Sequence, residues 1–234
     1  MALDTLILSK EEEAVFLGNL LGDGHIQKRG NSYRTKIQHS IHQKEYVLWK
    51  YEKLKRLCDK NHLPKAVTTK NSTQENFLFY LNSGLYLEKY HSLFYKPYFW
   101  KAGAPDIVQN TPSSPQNKIR YQKVITQALI EALPRDPLLL AVWFLDDGSC
   151  RQDVFSGRIA TQSFTLEEQH LLQDYLKQGF GINTQLVLHN RIKRQYYISI
   201  PSSKNQFANF VDLIKPVVEK IPDLKYKIKN PRND

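Results

Sequence analysis

The chain has 234 residues, room for one large domain or two of about 100 residues each. Hydrophobic residues make up 41%, which excludes a disordered chain, and a formal charge of +10 calls for an anionic partner, nucleic acid first. No apolar run approaches the roughly 20 residues of a bilayer span, the N-terminus has no basic leader, and two cysteines, Cys58 and Cys150, make neither a disulfide framework nor a CxxC zinc motif. The expectation is therefore no membrane partner and a reducing interior compartment, bacterial cytoplasm or organelle, rather than secretion.

Ser9 with Glu12 forms a capping box that opens an apolar helix ending at Gly24. "HIQKRGNSYRTKIQHS" reads as a hairpin with Lys28, Arg29, Arg34, Lys36 and Gln38 outward. Gln43 to Lys60 has helical period through Tyr46, Leu48, Trp49, Leu54 and Leu57, residues 66–70 and 76–82 make a second hairpin, and Leu85 to Phe94 a short helix. Pro, Asn, Ser and Gly then gather between Lys96 and Pro115, a linker composition. After it Asp136-Pro137 opens a second apolar helix running to Asp147-Gly148. A hairpin around Phe155–Gly157, a helix from Thr165 and Glu168 to Phe180, paired strands 185–189 and 196–200, and a helix capped by Ser203 complete the chain.

The order helix, hairpin, helix, hairpin, helix thus occurs twice. The two Asp-Gly pairs lie 124 positions apart (147 − 23), and at that offset Gln38 meets Gln162 and Tyr51 meets Tyr175. The fold class expected is α+β: an N-terminal half over 1–97, a linker over 98–122 and a C-terminal half over 123–234.

Each half opens with an apolar helix that closes on a carboxylate, Asp23 or Asp147, where the helix carries roughly half a negative charge and an acid costs about 0.3–1 kcal/mol. Taken singly, either is an ordinary solvated turn. As a matched pair on helices packed side by side, the two carboxylates and the last carbonyls form a nest of hard oxygens suited to Mg²⁺, with Mn²⁺ able to substitute. Gly18 and Gly22 lie four apart on one face and permit close approach, while the second helix carries Val142 and Asp146 at those positions.

"FLGNLLGDG" and "VWFLDDG" resemble the two motifs of a single-chain LAGLIDADG homing endonuclease, the second being most similar to the monomeric yeast mitochondrial type. The resemblance covers nearly the whole chain and implies two pseudo-symmetric αββαββα halves with saddle-shaped antiparallel sheets over DNA. It implies Asp23 and Asp147 as catalytic metal ligands, one for each strand, with Gly22 and Asp146 offering backbone carbonyls to the metal. It implies one basic residue per half: Lys123 and Lys227 lie where these are expected, with Lys118, Arg120, Lys225 and Lys229 near enough to compete. Gln38 and Gln162 are further candidates for positioning water. The implied reaction is metal-dependent hydrolysis of both strands of double-stranded DNA at one long asymmetric site, by a monomer.

Base readers are sought among Arg, Lys, Gln and Asn on the strands. They are Gln27, Lys28, Arg34, Lys36, Lys70 and Asn71 in the first half, and Arg151, Arg158, Gln185, Arg191, Lys193, Arg194 and Gln195 in the second. Of the seven histidines, His25, His39 and His42 show no ligand spacing and read as surface or DNA-facing; Trp49 and Trp143 read as core. Two alternatives keep the same saddle and charge: an intron RNA maturase, or a regulator that binds DNA without cutting.

Overall fold

The computed structural model describes residues 6–68, 74–100 and 118–229. The Ser9 capping box is formed, and α1 (Lys10–Leu21) follows it into β1 (His25–Arg29) and β2 (Ser32–Ser40). Gly30, in the turn between them, has φ of 57°, a left-handed conformation that favours glycine. Next come α2 (Lys44–Leu54), β3 (Lys65–Thr68), β4 (Glu75–Tyr80) and α3 (Glu88–Phe94). The α-helical part of α2 is shorter than its sequence pattern, because a 3-10 turn over Lys55–Leu57 ends it.

Across the linker region, β5 (Tyr95–Trp100) pairs antiparallel with β6 (Lys118–Lys123). Composition alone gave no sign of this ribbon, since its two strands only find each other through space. The short α4 (Gln127–Ala132), capped by Thr126, is a further element not expected from the repeat. The second half continues with α5 (Pro137–Asp147), β7 (Gly148–Cys150), β8 (Gly157–Ile159), α6 (Leu166–Phe180), β9 (Gln185–Asn190), β10 (Gln195–Ile200) and α7 (Gln206–Val218). Ser203 starts a 3-10 turn rather than capping α7, whose N-cap is Asn205. A last 3-10 stretch spans Pro222–Ile228.

Each half builds a four-stranded antiparallel sheet in the same order: β1-β2-β4-β3 and β7-β8-β10-β9. This α+β architecture sets α1 against α5 at the centre of a shared core that includes Phe16, Leu17, Leu20, Leu140, Trp143 and Phe144. The helices touch closely where glycine meets bulk. A Cβ on Gly18 would stand 2.6 Å from the Leu139 carbonyl and 2.8 Å from Val142 Cβ, and one on Gly22 would stand 2.5 Å from Asp146 Cβ. The larger side chains of α5 therefore seat on the glycines of α1. Among the described residues no helix is long and apolar enough to cross a membrane.

Candidate active site

The paired helices bring the two motif ends together. The cap residue Gly22 leaves helical geometry (φ −90°, ψ −129°), so Asp23 lies just beyond α1 with its side chain 53% exposed. α5 stays helical through Asp147, which is only partly exposed. Burial first, then the neighbouring Asp23 and Asp146 carboxylates, push the Asp147 carboxyl up to about 7, while Lys123 and Lys227 pull the other way.

Two lysines answer the negative helix ends, one at each helix. Lys123, at the end of β6, donates to the carbonyls of Gly22 and Gly24, both at 2.9 Å. Lys227 donates to the Leu145 carbonyl at 2.7 Å and lies 3.5 Å from that of Asp146. Its 3-10 turn is pinned to the first half, where the Glu45 amide donates to Asp223 at 2.8 Å. Burial lowers the pKa of both lysines and the surrounding carboxylates oppose that shift. Of the competing basic residues, Arg120, Lys225 and Lys229 are exposed, and the Lys118 side chain lies outside the described residues. Gly22 and Asp146 were expected to present carbonyls; the first is engaged by Lys123 and the second stands near Lys227.

Asp146 does more than its sequence position suggests. Its carboxylate is fully buried and accepts from Lys50 Nζ at 2.7 Å and from the Tyr46 hydroxyl at 2.8 Å. Its Oδ2 has no hydrogen-bond partner among the described residues. Lys50, itself wholly buried, also reaches Asn19 Oδ1 at 2.9 Å and His39 Nε2 at 3.0 Å. His39 is therefore not a surface or DNA-facing residue: the β2 register turns it inward, and it is 7% exposed. Burial and the Lys50 ammonium hold its imidazole neutral, its pKa lowered to about 3. Sequence reading missed Lys50, Tyr46 as a polar partner, and Asn19. The signal available was that Lys50 falls on the buried face of α2 with Tyr46, Val47, Tyr51 and Leu54.

A divalent cation fits this donor set. Three carboxylates meet at the helix ends, the pKa of one raised by burial first and by the other two second, and one buried carboxylate oxygen is orphaned. Ligand atoms of Asp23, His39 and Asp146 all lie within 4.8 Å of one another.

The sheet faces sort the other candidates. In the first half Gln27 pairs with Arg34, His25 with Lys36, and Lys36 with Tyr80, so Gln27, Arg34, Lys36 and Gln38 share the outer face. Lys28 pairs with Tyr33 and so belongs to the other face, its Nζ 5.4 Å from the Tyr33 ring centroid. The expectation of an outward Lys28 is corrected by one step of strand alternation. Lys70 and Asn71 lie outside the described residues. In the second half Arg158, Ser149, Ser199 and Gln185 are in register on one face, and Arg158 donates to Ser149 at 2.8 Å. Arg151 is exposed and paired with Asp153. Arg191, Lys193 and Arg194 form an exposed tip beyond β9, and Gln195 donates to the carbonyl of Gln162 at 3.4 Å. Gln38 and Gln162 are half-buried.

A model of the LAGLIDADG DNA endonuclease family matches residues 13–107 and again 116–207. Over 94% of its length the chain is 26% identical to DNA endonuclease I-ChuI of Chlamydomonas applanata, covering 95% of that protein. It is 27% identical to the probable intron-encoded endonuclease 1 of Wickerhamomyces canadensis, over 94% of this chain and 85% of the relative. It is also 25% identical to cytochrome b mRNA maturase bI2 of Saccharomyces cerevisiae, over 93% of this chain and 47% of the maturase. Its fold is similar to that of the homing endonuclease I-WcaI bound to its DNA recognition sequence, with a TM-score of 0.72, 20% identity, and coverage of 96% of this chain and 88% of the other.

Proposed function

Because the chain belongs to the LAGLIDADG DNA endonuclease family, we propose that it is a site-specific homing endonuclease that hydrolyses both strands of a long asymmetric DNA site. The observation that carries this reading is the convergence of Asp23 and Asp147 at the ends of the paired helices, with a lysine donating to main-chain carbonyls at each end. Two sheets of identical strand order support a saddle over duplex DNA, and their different outward residues support an asymmetric site. The chain already contains both halves, taken as 1–97 and 123–234 joined by 98–122, and so acts as a monomer.

Asp23 and Asp147 would hold the divalent ion, Mg²⁺ or Mn²⁺, with the main-chain oxygens of Gly22 and Asp146 beside them. When bound, the ion supplies an activated water and stabilises charge on the phosphate and leaving oxygen. Lys123 and Lys227 contribute positive charge at the same ends, and their depressed pKa values ease proton exchange with nearby water. Gln38 and Gln162 orient water from the adjoining strands. Gln27, Arg34, Lys36, Arg158, Gln185 and Gln195 read bases, and the exposed Arg191–Arg194 tip and Arg151 contact phosphate.

The test is a cleavage assay on a pool of randomised long duplexes with Mg²⁺, with Ca²⁺ as the non-supporting control. Double-strand cuts at a related set of sequences establish the nuclease and give its target. Tight selective binding without cleavage by the wild type would instead indicate a regulator. No selective DNA binding, with binding of structured intron RNA, would indicate a maturase.

A further inference from the structure

The buried polar cluster beside Asp23 has no role in the reaction as described above. An ammonium has three N–H donors and no acceptor. Three acceptors surround Lys50 Nζ: Asp146 Oδ1 at 2.7 Å, Asn19 Oδ1 at 2.9 Å and His39 Nε2 at 3.0 Å. The Tyr46 ring lies against the same ammonium, its centroid 4.3 Å away. Since Lys50 can only donate, His39 Nε2 accepts, and the ring proton is left on Nδ1. That nitrogen faces Asp23 Oδ2 at 3.6 Å, a gap that a small rotation of the half-exposed carboxylate closes to a hydrogen bond.

The cluster belongs to one half only. Counted from the motif aspartates, the second half has Trp143 for Asn19, Ser163 for His39, His170 for Tyr46 and Asp174 for Lys50, and the first has Gly22 where the second has Asp146. Ser163, His170 and Asp174 are all exposed.

On the premise that the protein is a metal-dependent nuclease, we propose that Lys50 and His39 form a positioning relay that orients the Asp23 carboxylate, and that the relay serves the cutting of one DNA strand and not the other. Lys50 is then the resident cation of this cluster. It engages His39 Nε2 and Asp146 Oδ1, so neither of those two atoms is free for a metal. Outer-shell partners of this kind fix a ligand's orientation, and their removal typically costs about 10–100-fold in affinity or activity.

Two readouts test the relay. In metal-free protein labelled with ¹⁵N-histidine, His39 is assigned by the loss of its signals in His39→Leu. It should show a protonated Nδ1 and an unprotonated Nε2, and Lys50→Met should redistribute that tautomer. On a supercoiled plasmid carrying the target, Lys50→Met should slow one strand about 10–100-fold and the other less than about threefold, so that circles nicked on a single defined strand accumulate. DNA binding in Ca²⁺ should persist, and Ser163→Ala should leave both strands unchanged. An Nε2-protonated His39, or equal slowing of both strands, overturns the relay. If Lys50→Met fails to fold, His39→Leu replaces it in the strand assay under the same two outcomes. Wild-type protein that cuts no duplex overturns the nuclease premise and the strand claim with it. A relay that fails alone is recognised by normal wild-type cutting.

Discussion

The two halves share a strand order and a motif, yet their motif aspartates occupy different environments. Asp23 follows a helix that has already ended at a glycine, and it is half exposed. Asp147 is the last helical residue of α5, and burial together with two neighbouring carboxylates raises its pKa. The residue preceding each also differs. Gly22 releases the chain and leaves space, and the Asp146 side chain fills that space from the opposite helix and is neutralised there by Lys50. Duplicated architecture therefore does not imply duplicated electrostatics: one motif carboxylate is half exposed, while burial first and neighbouring carboxylates second raise the pKa of the other.

The sharpest way to break this comparison is to neutralise each carboxylate in turn. Asp23→Asn and Asp147→Asn should each lower double-strand cleavage at least about 100-fold while leaving binding intact, as measured by cleavage and by gel shift in Ca²⁺. If either variant cuts both strands at wild-type rate, that aspartate is not part of the site.

The close approach of the helices is tested next by stability. Gly18→Ala drives a Cβ into the Leu139 carbonyl and Val142, and overpacking of this kind should cost about 1–3 kcal/mol in urea unfolding. An unchanged midpoint would mean that the helices separate easily.

The pH dependence of the metal-free protein sharpens the contrast between the carboxylates. The folded-state pKa of Asp147 is raised from 3.8 to about 7, so the folded protein holds that proton more tightly than the unfolded chain does. Its stabilising contribution is fully present below 3.8 and is lost as the pH rises to about 7. Compared by thermal melting, Asp147→Asn should flatten this part of the stability profile, and Mg²⁺ should flatten it in the wild type by favouring the ionised carboxylate. A wild-type profile with the same slope as Asp147→Asn contradicts the assignment.

The smallest effect concerns a feature the halves share. Ser9 and Thr165 each close a complete capping box, so Ser9→Ala and Thr165→Ala should each cost about 0.5–2 kcal/mol. A clearly larger loss at Ser9 would reflect Arg56, which also holds the capping residue Glu12, at 2.6 Å.

Local physics made much of the molecule legible in its sequence. Both capping boxes, the Asp136-Pro137 helix start and the hairpin turn at Gly30 depend on neighbours a few residues apart, and each formed where its residues indicated. The paired Asp-Gly motifs pointed to the convergence of Asp23 and Asp147 because they recur in equivalent elements. Only the tertiary structure decided the rest. It brought the ammonium groups of Lys123 and Lys227 to main-chain carbonyls at the two helix ends, since only packing carries a distant side chain there. It turned Lys28 away from the outer face, because register depends on the partner strand. It also buried Lys50, His39 and Asp146 together, although Lys50 and Asp146 are 96 residues apart in sequence. A charge enters a core only when its counter-charge arrives from elsewhere in the chain, and local sequence carries no record of that arrival.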